Sequence, residues 1–303
     1  MTMVDNRYDF LLAFDCQDGN PNGDPDSDNS PRFDPENFQG LVSDVCLKRK
    51  IRDYVLHCAP ETDSEESTWR NGIFVVSGNT LESRQRLPFE KLVGNERIEP
   101  KGKDTKSTDL ERARRWMCDH FFDVRTFGAV MSTTEFNCGQ VRGPLQITFA
   151  RSVDRILPTE HTISRQAFTG EKDIKSGTGT FGRKHTIPYG LYVAHGYVNP
   201  FFAAKTGFTL EDLELVRQAL KNLFELDRSA ARGTMAVRAL VIFRHDCKLG
   251  NAQAQELFER VRIEKNAGVE SPRSFADYTL TLPEASTLPK GITLIDGLSQ
   301  SLV

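Results

Sequence analysis

Tyr8, Phe10, Leu12 and Phe14 alternate with Asp9, Leu11, Ala13 and Asp15, the period of two that a strand imposes on its faces. From Asp18 to about Asn37 the chain turns to Asp, Asn, Gly and Pro. These residues bond their own backbone or fix turn dihedrals, so the pattern predicts a long loop. Between about Leu41 and His57, the residues Leu47, Ile51, Tyr54 and Val55 fall at i, i+4, i+7 and i+8 and share one helical face. Lys48 and Arg52 share a neighbouring face. Residues 60–71 are polar and acidic and read as loop, and Ile73–Val76 as a short strand. Residues 82–107 show little period and read as a mobile segment. Thr108-Asp-Leu-Glu111 has the spacing of a capping box and predicts a helix to about Phe122. Further strands are predicted at Gln146–Arg151, Leu191–Val198 and Met235–Phe243. A helix opened by Thr209 carries Leu213, Val216, Leu220, Leu223 and Phe224. Residues 158–188 are rich in Gly, Thr, Lys and Arg and read as a functional or disordered loop. The last forty or so residues read as weakly structured, and no internal repeat is visible.

Strand, helix, strand, insertions, strands, helix, strand is the order of a split β-α-β core. The expected fold class is therefore α+β, ferredoxin-like (RRM-like), with large insertions. Such sheets carry RNA in many proteins, but a fold alone does not assign a function.

Charge changes the picture more than composition does. The 303 residues carry a net charge of -3, and 27% of them are charged, which argues against phosphate binding when taken as a whole. The distribution is uneven. Residues 1–40 hold nine acidic and two basic residues, whereas residues 101–185 hold fifteen basic and ten acidic ones. Sorting of this kind suits a molecule with one acidic and one basic surface, although ordinary solvated faces also produce it. The 20 phenylalanines supply material for a core. None of the six cysteines forms a C-x-x-C pair, so no zinc site is expected. No stretch reaches membrane-spanning length, and buried free thiols in a reducing cytoplasm are expected.

The candidate chemistry narrows on inspection. Asp18-x-Asn20-x-Asn22-Gly23 opens like a calcium loop, but Asn29 stands where the bidentate Glu belongs, and Pro21 and Pro25 interrupt it; an Asx-rich turn is the better reading. Asp24, Asp26 and Asp28 could hold ions for phosphodiester cleavage, yet no His or Lys lies near them in sequence. Gly177-Thr-Gly-Thr-Phe-Gly182 resembles a phosphate loop, but Arg183-Lys184-His185 and a strand follow it instead of a helix, which removes the helix N-terminus that phosphate needs. No catalytic constellation emerges. What remains is cationic: Ser43, Lys48, Arg49, Lys50 and Arg52 on the first helix; Arg142, Arg151, Arg155 and Arg165 around a strand; Arg183 and Lys184 after the glycines. Phe168 and Phe181 stand in polar surroundings. Cations for a backbone and apolar groups for bases are how single strands are held, unless the two rings anchor the loop to its own domain.

Several segments resemble the CRISPR-associated Csd/Csh family of the RAMP superfamily. They are Asp18-Gly-Asn-Pro-Asn-Gly-Asp-Pro25, Gly40–Arg52, Val141-Arg-Gly-Pro-Leu-Gln146, Gly182–Tyr192 and Asp227-Arg-Ser-Ala-Ala-Arg-Gly233. The pattern is most similar to the repeated backbone subunit of the type I-C Cascade surveillance complex. The resemblance implies an RRM-like palm over residues 1–245, interrupted by a finger-type insertion at 60–107 and a thumb-type insertion at 158–188, with a C-terminal extension at 246–303. It implies a non-catalytic subunit without cofactor or metal, in contact with CRISPR RNA, target DNA, further copies of itself and other Cascade subunits, and with no membrane. Ser43, Lys48, Arg49, Arg52, Arg142, Arg165, Arg183 and Lys184 would grip RNA, with Phe168 as a wedge. The competing expectation is a metal-dependent ribonuclease of the same superfamily, acting through the acidic loop at 18–28. Phosphate contacts read no sequence, so one such protein would hold any guide and leave reading to base pairing.

Overall fold

The structure is a computed structural model that describes residues 2–58, 70–90, 98–132, 134–165 and 180–303. The first strand, β1 (Tyr8–Gly19), leads into a loop pinned by the two-residue strands β2 (Gly23–Asp24) and β3 (Ser30–Pro31), then β4 (Gln39–Val42) and helix α1 (Asp44–Cys58). An inserted stretch carries α2 (Leu81–Glu90), α3 (Ser107–His120), α4 (Phe122–Phe127) and the hairpin β5 (Gly128–Met131) and β6 (Gly139–Arg142). Next come β7 (Leu145–Ile147), β8 (Ala150–Arg155), β9 (Thr159–Arg165) and β10 (Thr180–Val198). They are followed by α5 (Pro200–Thr206), α6 (Leu210–Lys221) and β11 (Thr234–His245). The chain closes with α7 (Ala254–Phe258), β12 (Arg262–Lys265), β13 (Tyr278–Thr281) and β14 (Ile292–Asp296).

The main sheet runs β14-β11-β1-β10-β8-β4, with β7 and β9 also on β10. Its pairings are antiparallel. The alternation in β1 decides its faces. Tyr8, Phe10, Leu12, Phe14 and Cys16 pack with Leu47, Ile51 and Val55 of α1 and Leu213, Val216 and Leu220 of α6. Leu11 and Ala13 point the other way, into a second apolar layer with Val241 and Phe243 of β11 and Leu257, Phe258 and Val261. That layer corrects the expectation for the last forty residues. Together with the ten residues before them they form α7, the β12–β13 pair and β14, which extends the sheet along β11 from Val241↔Asp296 to His245↔Ile292. Short elements without a clear period gave no signal, yet they cover one face of the sheet.

The stretch after α1 builds a core of its own. Phe74, Leu87, Phe89, Trp116, Met117, Phe121, Phe136 and Cys138 cluster there. Residues 82–107, read as a mobile segment, therefore include a packed helix, α2. Ile73–Val76 is not a strand, because the Asp123 carboxylate accepts the backbone N–H groups of Phe74 (2.7 Å) and Val75 (3.0 Å) in place of a partner strand. Nor does Thr108 cap α3, which starts at Ser107 after Lys106 with no side-chain cap. Thr209 does cap α6, in a complete capping box with Asp212. Asp212 also ties the two cores together: Arg125, fully buried, donates to both of its oxygens at 2.8 and 3.0 Å, and Arg70 donates at 2.8 Å.

Residues 158–188 were read as loop. Their described part is instead a two-stranded arm, in which Thr159–Arg165 pairs with Thr180–Thr186 before β10 enters the sheet. Every residue of β9 is exposed, so backbone pairing holds the arm without a buried face, and no alternation marks it. The glycines at 177–179 and Phe168 lie outside the described residues. All six cysteines are free. Burial pushes the thiols of Cys16 and Cys138 up to about 12 and that of Cys118 to about 11, which makes them poor nucleophiles; Cys58 and Cys247 are exposed.

Candidate nucleic-acid interface

Four of the motif segments converge at one end of the sheet, where β1 stops and β10 emerges. Asn22 accepts both the backbone N–H and the hydroxyl of Ser43, each at 2.9 Å, which pins the 18–31 loop to the start of α1. Asn20 holds the same loop closed by donating to the Asn29 carbonyl at 2.6 Å. From the other side comes the 227–233 turn. Its Ala231 carbonyl accepts the Asn20 N–H at 2.8 Å, and Arg232 donates to the carbonyls of Asn20 and Pro21 at 3.1 Å. A Cβ at Gly19 would lie 1.9 Å from the Arg232 carbonyl oxygen, so the approach of these two backbones needs glycine there. Lys50 reaches the turn from α1 and pairs with Asp227; burial pushes its ammonium down to about 8.

The base of the arm closes the group. Lys184 donates to the Ala230 carbonyl. Arg183 lies 3.2 Å from Glu160 across the arm and 3.9 Å from Asp28 of the loop. His185 sits 3.6 Å from Asp28.

The predicted contact residues divide sharply. Ser43 is buried and its hydroxyl is committed to Asn22. Lys48 pairs with Asp44 at 2.9 Å and faces the Phe127 ring. Arg52 donates to Asp123 at 2.8 Å and stacks over the same ring, 5.1 Å from its centroid. Of the four predicted contacts at α1, only Arg49 is open, with its side chain 75% exposed and Asp53 3.6 Å away. Arg183 is 66% exposed and Lys184 partly so. Arg165 lies further out on the arm, opposite Thr180, and Phe168 is not among the described residues. Phe181 is 69% exposed on the arm, so it does not anchor the segment to its own domain. Arg142 lies away from the arm base, although Gly128, which pairs with it, adjoins the Phe127 that Lys48 and Arg52 face. It ends β6, whose neighbour β7 meets β10 at Gly196–Val198, whereas the loop end meets β10 at Ile187. Eleven residues of strand separate the two places by about 36 Å.

Sequence reasoning missed Asn20, Asn22 and Arg232 as residues that shape the site, and read Lys50 only as one more cation of the first helix. The Asp227–Gly233 segment was noticed, but its role of clamping the loop needs the fold. The arrangement offers exposed guanidinium groups for phosphate and exposed apolar groups, Phe181 and Ile163, for bases. Among the described residues no three His, Cys, Asp or Glu side chains are grouped to hold a metal. Asp24 is occupied otherwise, accepting the Asp26 N–H at 3.3 Å and lying 3.3 Å from Arg32.

Comparison with known proteins follows this geometry. The sequence model of the family described as CRISPR-associated protein Cas7 matches residues 6–283. A CRISPR-associated protein Cas7 of Haloferax volcanii is 25% identical over 315 residues, covering 97% of this chain and 86% of that protein. Two solved chains are similar to this one at 12% identity, each over 78% of this chain. One is from a CRISPR RNA-guided surveillance complex in a pre-nicking state (TM-score 0.49, 78% of that chain), the other from a CRISPR RNA-guided surveillance complex (TM-score 0.42, 68% of that chain).

Proposed function

The chain belongs to the CRISPR-associated Cas7 family, and from that membership we propose that it is a non-catalytic backbone subunit of a Cascade complex, of the I-C subtype, that binds the guide RNA. The observation that carries the site is the convergence of the 18–31 loop, α1, the arm base and the 227–233 turn. Arg49, Arg183 and Lys184 contact guide phosphates there, and Ser43 acts by positioning the loop. Lys48 and Arg52 support the same surface from behind through Asp44, Asp123 and Phe127. Arg165 and Phe168 belong to the arm, which crosses the guide.

The strand order β11-β1-β10-β8, with α1 and α6 on one face, supports reading the centre as a ferredoxin-like palm. The exposed β9–β10 arm is then the thumb, and the separate core around Trp116 and Phe121 the finger. Copies stack head to tail along the guide, since a contact between unlike ends of a subunit extends without closing. The guide then pairs with target DNA in antiviral defence, in the cytoplasm, beside other Cascade subunits. Among the described residues no helix is long and apolar enough to cross a membrane.

Ultraviolet crosslinking of the guide-loaded protein, read by mass spectrometry, tests the placement. Crosslinked peptides from α1 and residues 180–185 are expected. Crosslinks confined to residues 254–281, on the far face of the sheet, would contradict it.

A further inference from the structure

A groove of about 720 Å³ opens between α3, the end of β6 and α5, at the end of the molecule remote from the arm base. Arg114 and Arg115 enter it from α3, Arg142 from β6 and Lys205 from the last turn of α5, against a single lining carboxylate, Glu111. Arg115 is balanced by Asp119 outside the groove at 3.1 Å, and Arg114 lies 3.9 Å from Glu111. Arg142 and Lys205 have no carboxylate within ion-pair distance among the described residues. Instead both stand over one ring, Phe202, at 4.5 and 5.9 Å from its centroid. Two cations sharing one aromatic ring repel each other, and the ring offsets only part of that. An anion in the groove removes the repulsion.

We infer that this groove is a second nucleic-acid site, which takes the phosphodiester backbone of a strand other than the one held at the arm base. The inference rests on the guide-binding reading for its class of ligand. The groove is open and its cations come from three elements, which suits several phosphates in series better than one small anion. Phe202 is covered by the two cations, so no ring is left for a base to stack on, and contact is with phosphate alone, without sequence preference. A protein partner would need an apolar anchor in the groove, where Phe202 lies under the two cations and the exposed Phe201 is outside the lining. The distance of about 36 Å along β10 keeps this strand clear of the arm base.

The test uses the guide-loaded particle and two fluorescent oligonucleotides unrelated to the guide, one DNA and one RNA, over a salt series. The variants are Arg142→Glu with Lys205→Glu and, as a milder pair, Arg142→Gln with Lys205→Gln; both positions carry exposed side chains. Both pairs are expected to weaken binding of one or both oligonucleotides and to make the salt dependence shallower by about two phosphate contacts, with guide content and particle size unchanged. Which oligonucleotide responds identifies the strand. Unaltered affinity and slope overturn the inference. Loss of the guide together with the oligonucleotide also overturns it, because the groove would then be part of the guide grip. Smaller particles with an unchanged slope overturn it in favour of a contact between copies. If the parent protein carries no guide at all, it is the guide-binding reading that fails, and that is visible before any variant is made.

Discussion

Asn22 offers one carboxamide oxygen to two donors of Ser43, its backbone N–H and its hydroxyl, both at 2.9 Å. The loop and the start of α1 therefore move as one piece. Asn22→Ala leaves two donors without an acceptor and is expected to cost about 1–3 kcal/mol. Urea denaturation measures that cost, and reduced guide retention should accompany it. A stable variant with a full guide load would show that the loop does not shape the site.

Arg49 and Arg52 separate surface chemistry from support. Arg52→Ala leaves the buried Asp123 carboxylate with only the Phe74 and Val75 N–H groups, a loss below the about 3–5 kcal/mol of a buried charge left without any partner, read as a lower denaturation midpoint. Arg49→Ala should leave stability within about 0.5 kcal/mol and lower RNA affinity with a shallower salt slope.

Acid should loosen the protein through two carboxylates. Burial alone would raise Asp212, but the hydrogen bonds and charge of Arg125, with Arg70, hold it below its ordinary value. Burial likewise opposes Glu214, yet Arg217 and the Leu302 N–H bring it down to about 2. A depressed carboxyl stabilises the folded state above its unfolded value, about 4, and that contribution is lost as pH falls through the folded value. The denaturation midpoint should hold steady above about pH 5 and fall between about pH 4 and 2. Glu214→Gln should flatten part of that fall.

The acidic loop is expected to cleave nothing. Guide and target RNA incubated with magnesium or manganese should keep their length, and Asp24→Ala or Asp26→Ala should not change that. Cleavage lost in either variant would favour the ribonuclease alternative.

What the sequence made legible was what repeats along it. β1 alternates and α6 carries Leu213, Val216 and Leu220 on one face, so both were legible, although β1 runs on to Gly19 and α6 stops at Lys221, before Leu223 and Phe224. The arm was invisible because β9 is exposed on both sides, which leaves no alternation to read. The C-terminal cover was invisible because α7 and β12 are only five and four residues long. In the site, the segments were readable as motifs, but the direction of each cation was not. Arg52 is turned inward by Asp123, 71 residues away, and only the fold brings that partner beside it. Lys48 looks equivalent to Arg49 in sequence, yet Phe127 and Asp44 hold it while Arg49 faces solvent.

Whether this chain holds guide RNA is measured directly by co-expression with a CRISPR array and its neighbouring genes, followed by sequencing of the RNA that purifies with the protein. Uniform, guide-length RNA in a multi-copy particle is expected, reduced by Arg49→Glu with Arg183→Glu. Monomers carrying no RNA, or random cellular RNA, would contradict it.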